Sequence, residues 1–274
     1  MRLPFHQIDA FADRPFTGNP AAVMLLDDWL DDATLLAIAA ENNLAETAFL
    51  VRRDDRVADF DLRWFAPACE IALCGHATLA SGAWALAATP DRDRIRFATR
   101  RAGVLTVARD GDRYTLDLPA RPPRPVDDAD LARAVAAAIG ATPAAILMYG
   151  DDYLVTVFAD AAAVRALRPD AGAVMALDTG PDLLLIATAP GAGDASGADI
   201  VSRAFAFEAG IGEDPVTGSA HCILAPYWAQ RLGRDAFAAY QASARGGHVA
   251  CRLAGDRVVL GGGCVEVIAG AFIL

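Results

Sequence analysis

The sequence predicts an α+β fold made of two similar halves, and three observations carry that prediction. The first is a pair of matching stretches. Pro67 to Gly82 and Glu208 to Cys222 each pass through a glycine into an alanine-rich apolar segment; with Gly75 set on Gly218, Ala77 falls on Ala220 and Trp84 on Tyr227. A weak internal repeat of this kind points to two structurally related halves. The second observation is the pattern of strand-like runs separated by turns, with one long apolar helix per half. That is the layout of an α+β chain rather than a doubly wound sheet. A helix that is apolar nearly all round needs its own sheet wrapped about it. The third is Pro119-Ala-Arg-Pro-Pro-Arg-Pro125, a stiff, extended stretch that reads as a linker. The first half is therefore 1–118, with the C-terminal strand 265–274 as a candidate addition, and the second is 119–264.

The elements follow in order. Phe5 to Phe11 and Ala21 to Leu26 read as strands, joined by a loop with Pro, Gly and Asn where turns need them. Asp31 or Asp32 caps a helix that buries Leu35, Ile38 and Ala39 and ends near Asn42-Asn43. Strands are expected at Glu46–Val51 and Asp59–Phe65, followed by the helix after Gly75. Arg94 to Leu118 holds three short strands with turns near Gly103 and Asp110-Gly111. The second half opens with a helix at Ala129–Ile139, strands at Ile146–Tyr149 and Tyr153–Phe158, and a helix at Ala161–Leu167. Strands at Leu183–Thr188 and Ile200–Phe207 flank a surface loop from Pro190 to Gly197. The helix from Gly218 to about Leu232 and four strand-like runs complete the chain.

Composition narrows the function. The 274 residues carry a formal net charge of -11, and Arg100-Arg101 is only a short basic pair. A protein that tracks phosphates along a nucleic acid needs basic patches, so that class is set aside. The apolar run Ile71 to Ala88 contains His76, Thr78 and Ser81 and two glycines, which suits a buried helix better than a membrane span. The N-terminal residues hold no signal-peptide-like apolar run, and the five cysteines are odd in number and scattered. Reduced thiols in a cytoplasmic protein are the expected state.

The two glycine turns concentrate the residues that could do chemistry. Glycine lets a backbone approach a ligand closely. The first amides of a helix lack partners and carry partial positive charge, which suits a carboxylate or phosphate. The plainer reading of each glycine is a tight turn and close packing. Glu46, at a helix–strand junction, is either a solvated end residue or, in a closed apolar cleft, an acid/base group. Cys74 is a helix-end thiolate or a small core residue. His76 reaches a ligand oxygen or caps its own helix, and Asp214 and Ser219 flank Gly218 as ligand contacts or as loop and cap residues. Cys69, Cys74, His76, His221 and Cys222 are candidate metal ligands, but they show neither C-x-x-C nor H-x-x-x-H spacing, so no metal is expected. The serine-hydrolase elbow, dinucleotide fingerprint and P-loop are likewise absent from the sequence.

Four segments together carry a resemblance: Asp9-Ala-Phe-Ala-Asp-Arg-Pro-Phe-Thr-Gly-Asn-Pro-Ala-Ala-Val23, Asn43-Leu-Ala-Glu-Thr-Ala-Phe49, Arg63-Trp-Phe-Ala-Pro-Ala-Cys-Glu-Ile-Ala-Leu-Cys-Gly-His-Ala-Thr-Leu-Ala80 and Gly212-Glu-Asp-Pro-Val-Thr-Gly-Ser-Ala-His221. The chain resembles the PhzF-like isomerases of phenazine biosynthesis, relatives of diaminopimelate epimerase and proline racemase. The resemblance implies two pseudo-symmetric halves, each a curved, mostly antiparallel sheet around a central helix, with the active site between them. It implies no cofactor and no metal. Glu46 resembles the family's general acid/base; Gly75, His76, Asp214, Gly218 and Ser219 resemble the groups lining its substrate site. Cys74 resembles the first of the paired cysteines of the racemases and is a possible second acid/base. The matching turn of the second half has Asp214 and no cysteine, which departs from a two-thiol epimerase. Phe207 stands where a proline is expected.

The expectation is thus a cofactor-independent isomerase that moves a proton on a small carboxylic acid, by a proton shift or an epimerisation, with a homodimer as a candidate assembly. An inactive small-molecule binding protein of the same fold and a Cys74-dependent epimerase are the alternatives.

Overall fold

The computed structural model describes residues 1–180 and 182–274. The chain divides into two compact units, Met1–Leu118 with Val259–Leu274, and Pro119–Val258. The C-terminal part of the first unit begins ahead of the residue 265 read from sequence.

The first unit contains β1 (Arg2–Ala10), β2 (Asn19–Leu26), α1 (Asp32–Asn42), β3 (Glu46–Arg52), β4 (Phe60–Phe65), β5 (Glu70–Ile71), α2 (Gly75–Ala87), β6 (Arg94–Thr99), β7 (Val104–Asp110) and β8 (Arg113–Pro119). β1 pairs antiparallel with β2, β2 runs parallel to β3, and β3 pairs antiparallel with β4. β4 pairs antiparallel with β5 and parallel with β6, and β6, β7 and β8 form an antiparallel meander. Asp31 caps α1 by accepting from the amide of Thr34, and α1 ends at Asn43 in the left-handed region, a conformation asparagine tolerates. Its buried Leu35, Ile38 and Ala39 join Met24, Phe49 and Phe65 in a core on one face of the sheet.

The other face belongs to α2. Every residue from Gly75 to Ala83 is buried, and the helix packs against β1, β2, β3, β6 and β7. Its small side chains make that enclosure possible. At Gly82 an added Cβ would lie 2.4 Å from Val107 on β7, so glycine sets how closely helix and strand approach.

The second unit repeats this order. It contains β9 (Arg124–Pro125), α3 (Ala129–Ile139), β10 (Ala145–Tyr149), β11 (Tyr153–Val157), α4 (Ala161–Ala166), α5 (Ala171–Met175), β12 (Leu184–Pro190), β13 (Ile200–Ala206), β14 (Gly212–Asp214), α6 (Gly218–Leu232), β15 (Ala236–Gln241) and β16 (Gly247–Ala254). β11 runs parallel to β12, β12 antiparallel to β13, and β13 antiparallel to β14 and parallel to β15. That is the pairing of β2 through β6. The last strands are β17 (Arg257–Gly262) and β18 (Cys264–Ile273), and β18 pairs antiparallel with β1. The fold is α+β with mixed sheets, as the sequence predicts.

Two details depart from the sequence reading. The proline-rich stretch does not float as a linker: Arg124 and Pro125 pair with Met148 and Leu147 of β10, and the amide of Arg121 donates to the carbonyl of Cys222. α5, β5, β9 and β14 were not anticipated; each spans too few residues to show a periodicity.

The duplication extends to one ion pair. Arg63 on β4 holds Glu70 through two hydrogen bonds of 2.8 and 2.9 Å, and Arg203 on β13 holds Glu213 through two of 2.6 and 2.9 Å. Each guanidinium lies over the phenylalanine two residues on, 4.8 Å from the Phe65 centroid and 4.9 Å from that of Phe205. Planar bidentate pairing combined with stacking suits arginine and not lysine.

Candidate active site

In the first unit, four elements bring their ends together. Glu46 opens β3 opposite Ala21 of β2, on the face covered by α2, and is only 8% exposed. Cys74 is the N-cap of α2 with an extended backbone, and Gly75 and His76 begin the helix. Asn19 opens β2 and is fully buried. Gly18 makes that placement possible. Its φ of +68° is a conformation L side chains avoid, and a Cβ there would lie 2.2 Å from the carbonyl oxygen of Ala10.

The side chains meet around the imidazole of His76. Its Nε2 lies 3.1 Å from Glu46 Oε2. Its Nδ1 lies 3.2 Å from the amide nitrogen of Asn19 and 3.5 Å from Cys74 Sγ. Although Nε2 and Oε2 are close, neither atom has a partner in hydrogen-bonding geometry. The helix entrance is closed by Thr78, whose hydroxyl donates to the carbonyl of Cys74 at 2.5 Å.

Electrostatics sorts these groups. Burial, reinforced by the Glu46 carboxylate, pushes the Cys74 thiol up to about 11, so at neutral pH Cys74 is a thiol and not the helix-activated thiolate considered from sequence. For His76 burial works against the charged form, but Cys74 and Glu46 together outweigh it and hold the imidazole well above its ordinary value. The Glu46 carboxylate is the charge nearest the ring, 3.1 Å from Nε2. When His76 is charged, Nδ1 also carries a proton, and the Asn19 amide presents its oxygen rather than its nitrogen.

In the second unit, Asp214 ends β14, Thr217 is the extended N-cap of α6, and Gly218 and Ser219 begin that helix. Thr217 donates its hydroxyl to Asp214 Oδ2 at 2.5 Å. Gln241, fully buried at the end of β15, accepts from the Thr217 amide at 2.9 Å and donates to the Asp214 carbonyl at 2.7 Å. His221 donates Nδ1–H to the Thr217 carbonyl at 2.7 Å, and burial lowers its pKa to about 4. It is a neutral imidazole, and its Nε2 accepts from the Ser202 hydroxyl at 3.5 Å.

Glu46, Cys74, Gly75 and His76 thus form one cluster in the first unit, and Asp214, Gly218 and Ser219 lie at one helix entrance in the second. Of the candidate metal ligands, Cys74 and His76 come together, and Glu46, which was not counted among them, joins them: one ligand atom from each lies within 4.8 Å of the others. Cys69 is exposed, and no such group forms around His221 and Cys222 among the described residues. Sequence reasoning gave no separate role to Asn19 or Gln241. Asn19 stood inside the first quoted segment as a turn residue; Gln241 lies in no motif, and nothing in its neighbourhood marks it.

No described helix is long and apolar enough to cross a membrane. An uncharacterized isomerase of Pseudomonas aeruginosa is 47% identical over 276 residues, covering 100% of both chains. A human phenazine biosynthesis-like domain-containing protein is 38% identical over 284 residues, covering 98% of this chain and 99% of that one. The crystal structure of a PhzF-family protein from Enterococcus faecalis superposes with a TM-score of 0.90 at 39% identity, over 100% of each chain. The sequence pattern of the phenazine biosynthesis-like proteins, PhzC-PhzF, matches residues 8–270, and the chain belongs to that family.

Proposed function

We propose that the protein is a cofactor-independent isomerase that moves a proton on a small carboxylic acid, with Glu46 as the general acid/base. The observation that carries the reading is the buried contact of Glu46 with His76 at the entrance of α2. A protein that only binds its ligand has no need of a buried carboxylate at that place.

A carbon acid beside a carboxylate or enol loses its proton slowly in water, because the charge that develops is poorly stabilised. Glu46 takes that proton as a carboxylate and returns it to another position of the same substrate. A cationic His76 offers Nε2–H to the developing negative charge, and the first amides of α2 add their partial charge. Gly75 keeps those amides approachable. Asp214, Gly218 and Ser219 are assigned to substrate binding. A neutral Cys74 can donate a proton but is poorly suited to abstract one, which supports Glu46 over Cys74 as the base. The names of the P. aeruginosa relatives, both isomerases, support the class of reaction.

The test is a screen of small carboxylic acids in deuterated water with chelator-treated protein, read by mass spectrometry for carbon-bound deuterium. Enzyme-dependent incorporation that persists after chelation is the expected result. Binding of an acid without exchange would replace the isomerase with a binding protein.

A further inference from the structure

We propose that Glu46, Cys74 and His76 form a binding site for a thiophilic divalent cation, with zinc as the reference ion, and that this ion inhibits the protein by occupying its base. The binding rests on the cluster alone; the inhibition rests on the acid/base reading of Glu46.

The donor set is one oxygen, one sulfur and one imidazole nitrogen, with the ligand atoms within 4.8 Å of one another. Zinc bonds of about 2.0–2.3 Å in a tetrahedron hold their ligand atoms roughly 3.5 Å apart. His76 Nε2 and Glu46 Oε2, at 3.1 Å, already fall near that spacing; Cys74 Sγ, now 3.5 Å from Nδ1, is the atom that must swing toward Nε2. Two of the three residues supply atoms that are buried and lack hydrogen-bonding partners, Glu46 Oε2 and His76 Nε2. Such atoms are costly unless something satisfies them, and a cation between them does so.

The other side of the imidazole is prepared as well. Asn19 sits 3.2 Å from Nδ1 and is itself fully buried. With its amide oxygen turned to Nδ1–H, it fixes the ring and leaves the Nε2 lone pair for the metal, the usual support of a ligating histidine. On binding, the Cys74 thiol releases its proton to solvent, and any proton on His76 Nε2 leaves the same way. One carboxylate and one thiolate then neutralise the dication, so the filled site carries no net charge into a buried place. Sulfur and imidazole select zinc over magnesium or calcium. Three protein ligands leave a fourth position open for water.

The experiment is calorimetric titration of chelator-stripped protein with Zn²⁺ and with Mg²⁺, in two buffers of different ionisation enthalpy, followed by Co²⁺ absorption. The expected result is one zinc equivalent bound with proton release, no magnesium binding, and a thiolate-to-cobalt charge-transfer band. Cys74→Ser, a near-isosteric change that keeps the fold, should abolish the band and weaken zinc. Asn19→Ala should weaken zinc about tenfold to a hundredfold. Cys69→Ala should change nothing. Absence of zinc binding, or binding that follows Cys69 instead of Cys74, overturns the site. With a substrate from the deuterium screen, zinc should stop exchange and a chelator restore it. Zinc bound through these ligands with exchange undiminished would keep the metal site and remove Glu46 as the base.

Discussion

Cys74 and Thr217 occupy the same place in the two units. Each is an extended N-cap, each precedes a glycine that opens a buried helix, and neither side chain caps its helix. The residue four positions on donates to the cap carbonyl in both, Thr78 through its hydroxyl and His221 through Nδ1–H. In both units an arginine grips a glutamate and covers a phenylalanine. The scaffold is duplicated down to single hydrogen bonds, and the charge is not. His76 is buried beside a carboxylate and its pKa rises; His221 is buried among a carbonyl and a hydroxyl and its pKa falls to about 4. Shared contacts shape the turns, and the proposed chemistry falls on unshared residues, Glu46 and His76 first among them.

The largest expected effect falls on the unshared side. Glu46→Gln keeps the shape but cannot accept a proton. Exchange or turnover should drop by about 10² to 10⁴ with the fold intact, since general acid/base groups contribute that much. Near-normal turnover in that variant would leave the two entrances chemically equivalent and the reading wrong.

The two histidines should also give opposite responses to pH. His221 is favoured neutral in the fold, so its contribution is present above the unfolded value near 6.5 and is lost as pH falls toward about 4. The loss is on the order of 3 kcal/mol. His76 is favoured charged, so its contribution is complete below about 6.5 and is lost as pH rises through its raised value. Urea unfolding of His221→Thr, which installs the residue type of Thr78, should show lower stability at neutral pH and a flatter profile between pH 7 and pH 4. An unchanged acid slope would assign the effect to other groups.

A smaller effect sharpens the shared side. Arg63→Met leaves Glu70 with Arg100 alone, Arg203→Met takes the arginine from Glu213, and each removes a ring contact. Each should cost about 2 kcal/mol, below the full penalty of a wholly buried pair. A loss confined to one unit would show that the duplicated pair is not equivalent in energy. The smallest effect belongs to Ser219→Ala. It should weaken substrate binding about tenfold, roughly one lost hydrogen bond, and leave turnover nearly unchanged.

Much of this was legible in the sequence because it depends on local chemistry. Gly75 and Gly218 mark the helix starts, Asp31 marks the cap of α1, and the alanine-rich runs mark helices that must be enclosed. The meeting of Glu46 with His76 was legible only through the quoted segments, since it joins a strand start to a helix start by tertiary packing. The repeated Arg–Phe–Glu arrangement escaped notice because its spacing differs: Glu70 follows Arg63 by seven residues and Glu213 follows Arg203 by ten. Gln241 was invisible for a related reason. Its three contacts to the Asp214–Thr217 turn come from a strand far along the chain, and a lone glutamine announces nothing.

The coupling of Glu46 to His76 is the center of the account, and nitrogen-15 NMR of the histidine side chains tests it without a substrate. At pH 7 His76 should be an imidazolium with both nitrogens protonated, and His221 a neutral ring with its proton on Nδ1. In Glu46→Gln the His76 titration should move down while that of His221 stays in place. A His76 that titrates near 6.5 in both proteins would contradict the claim that this buried pair is the working acid/base center.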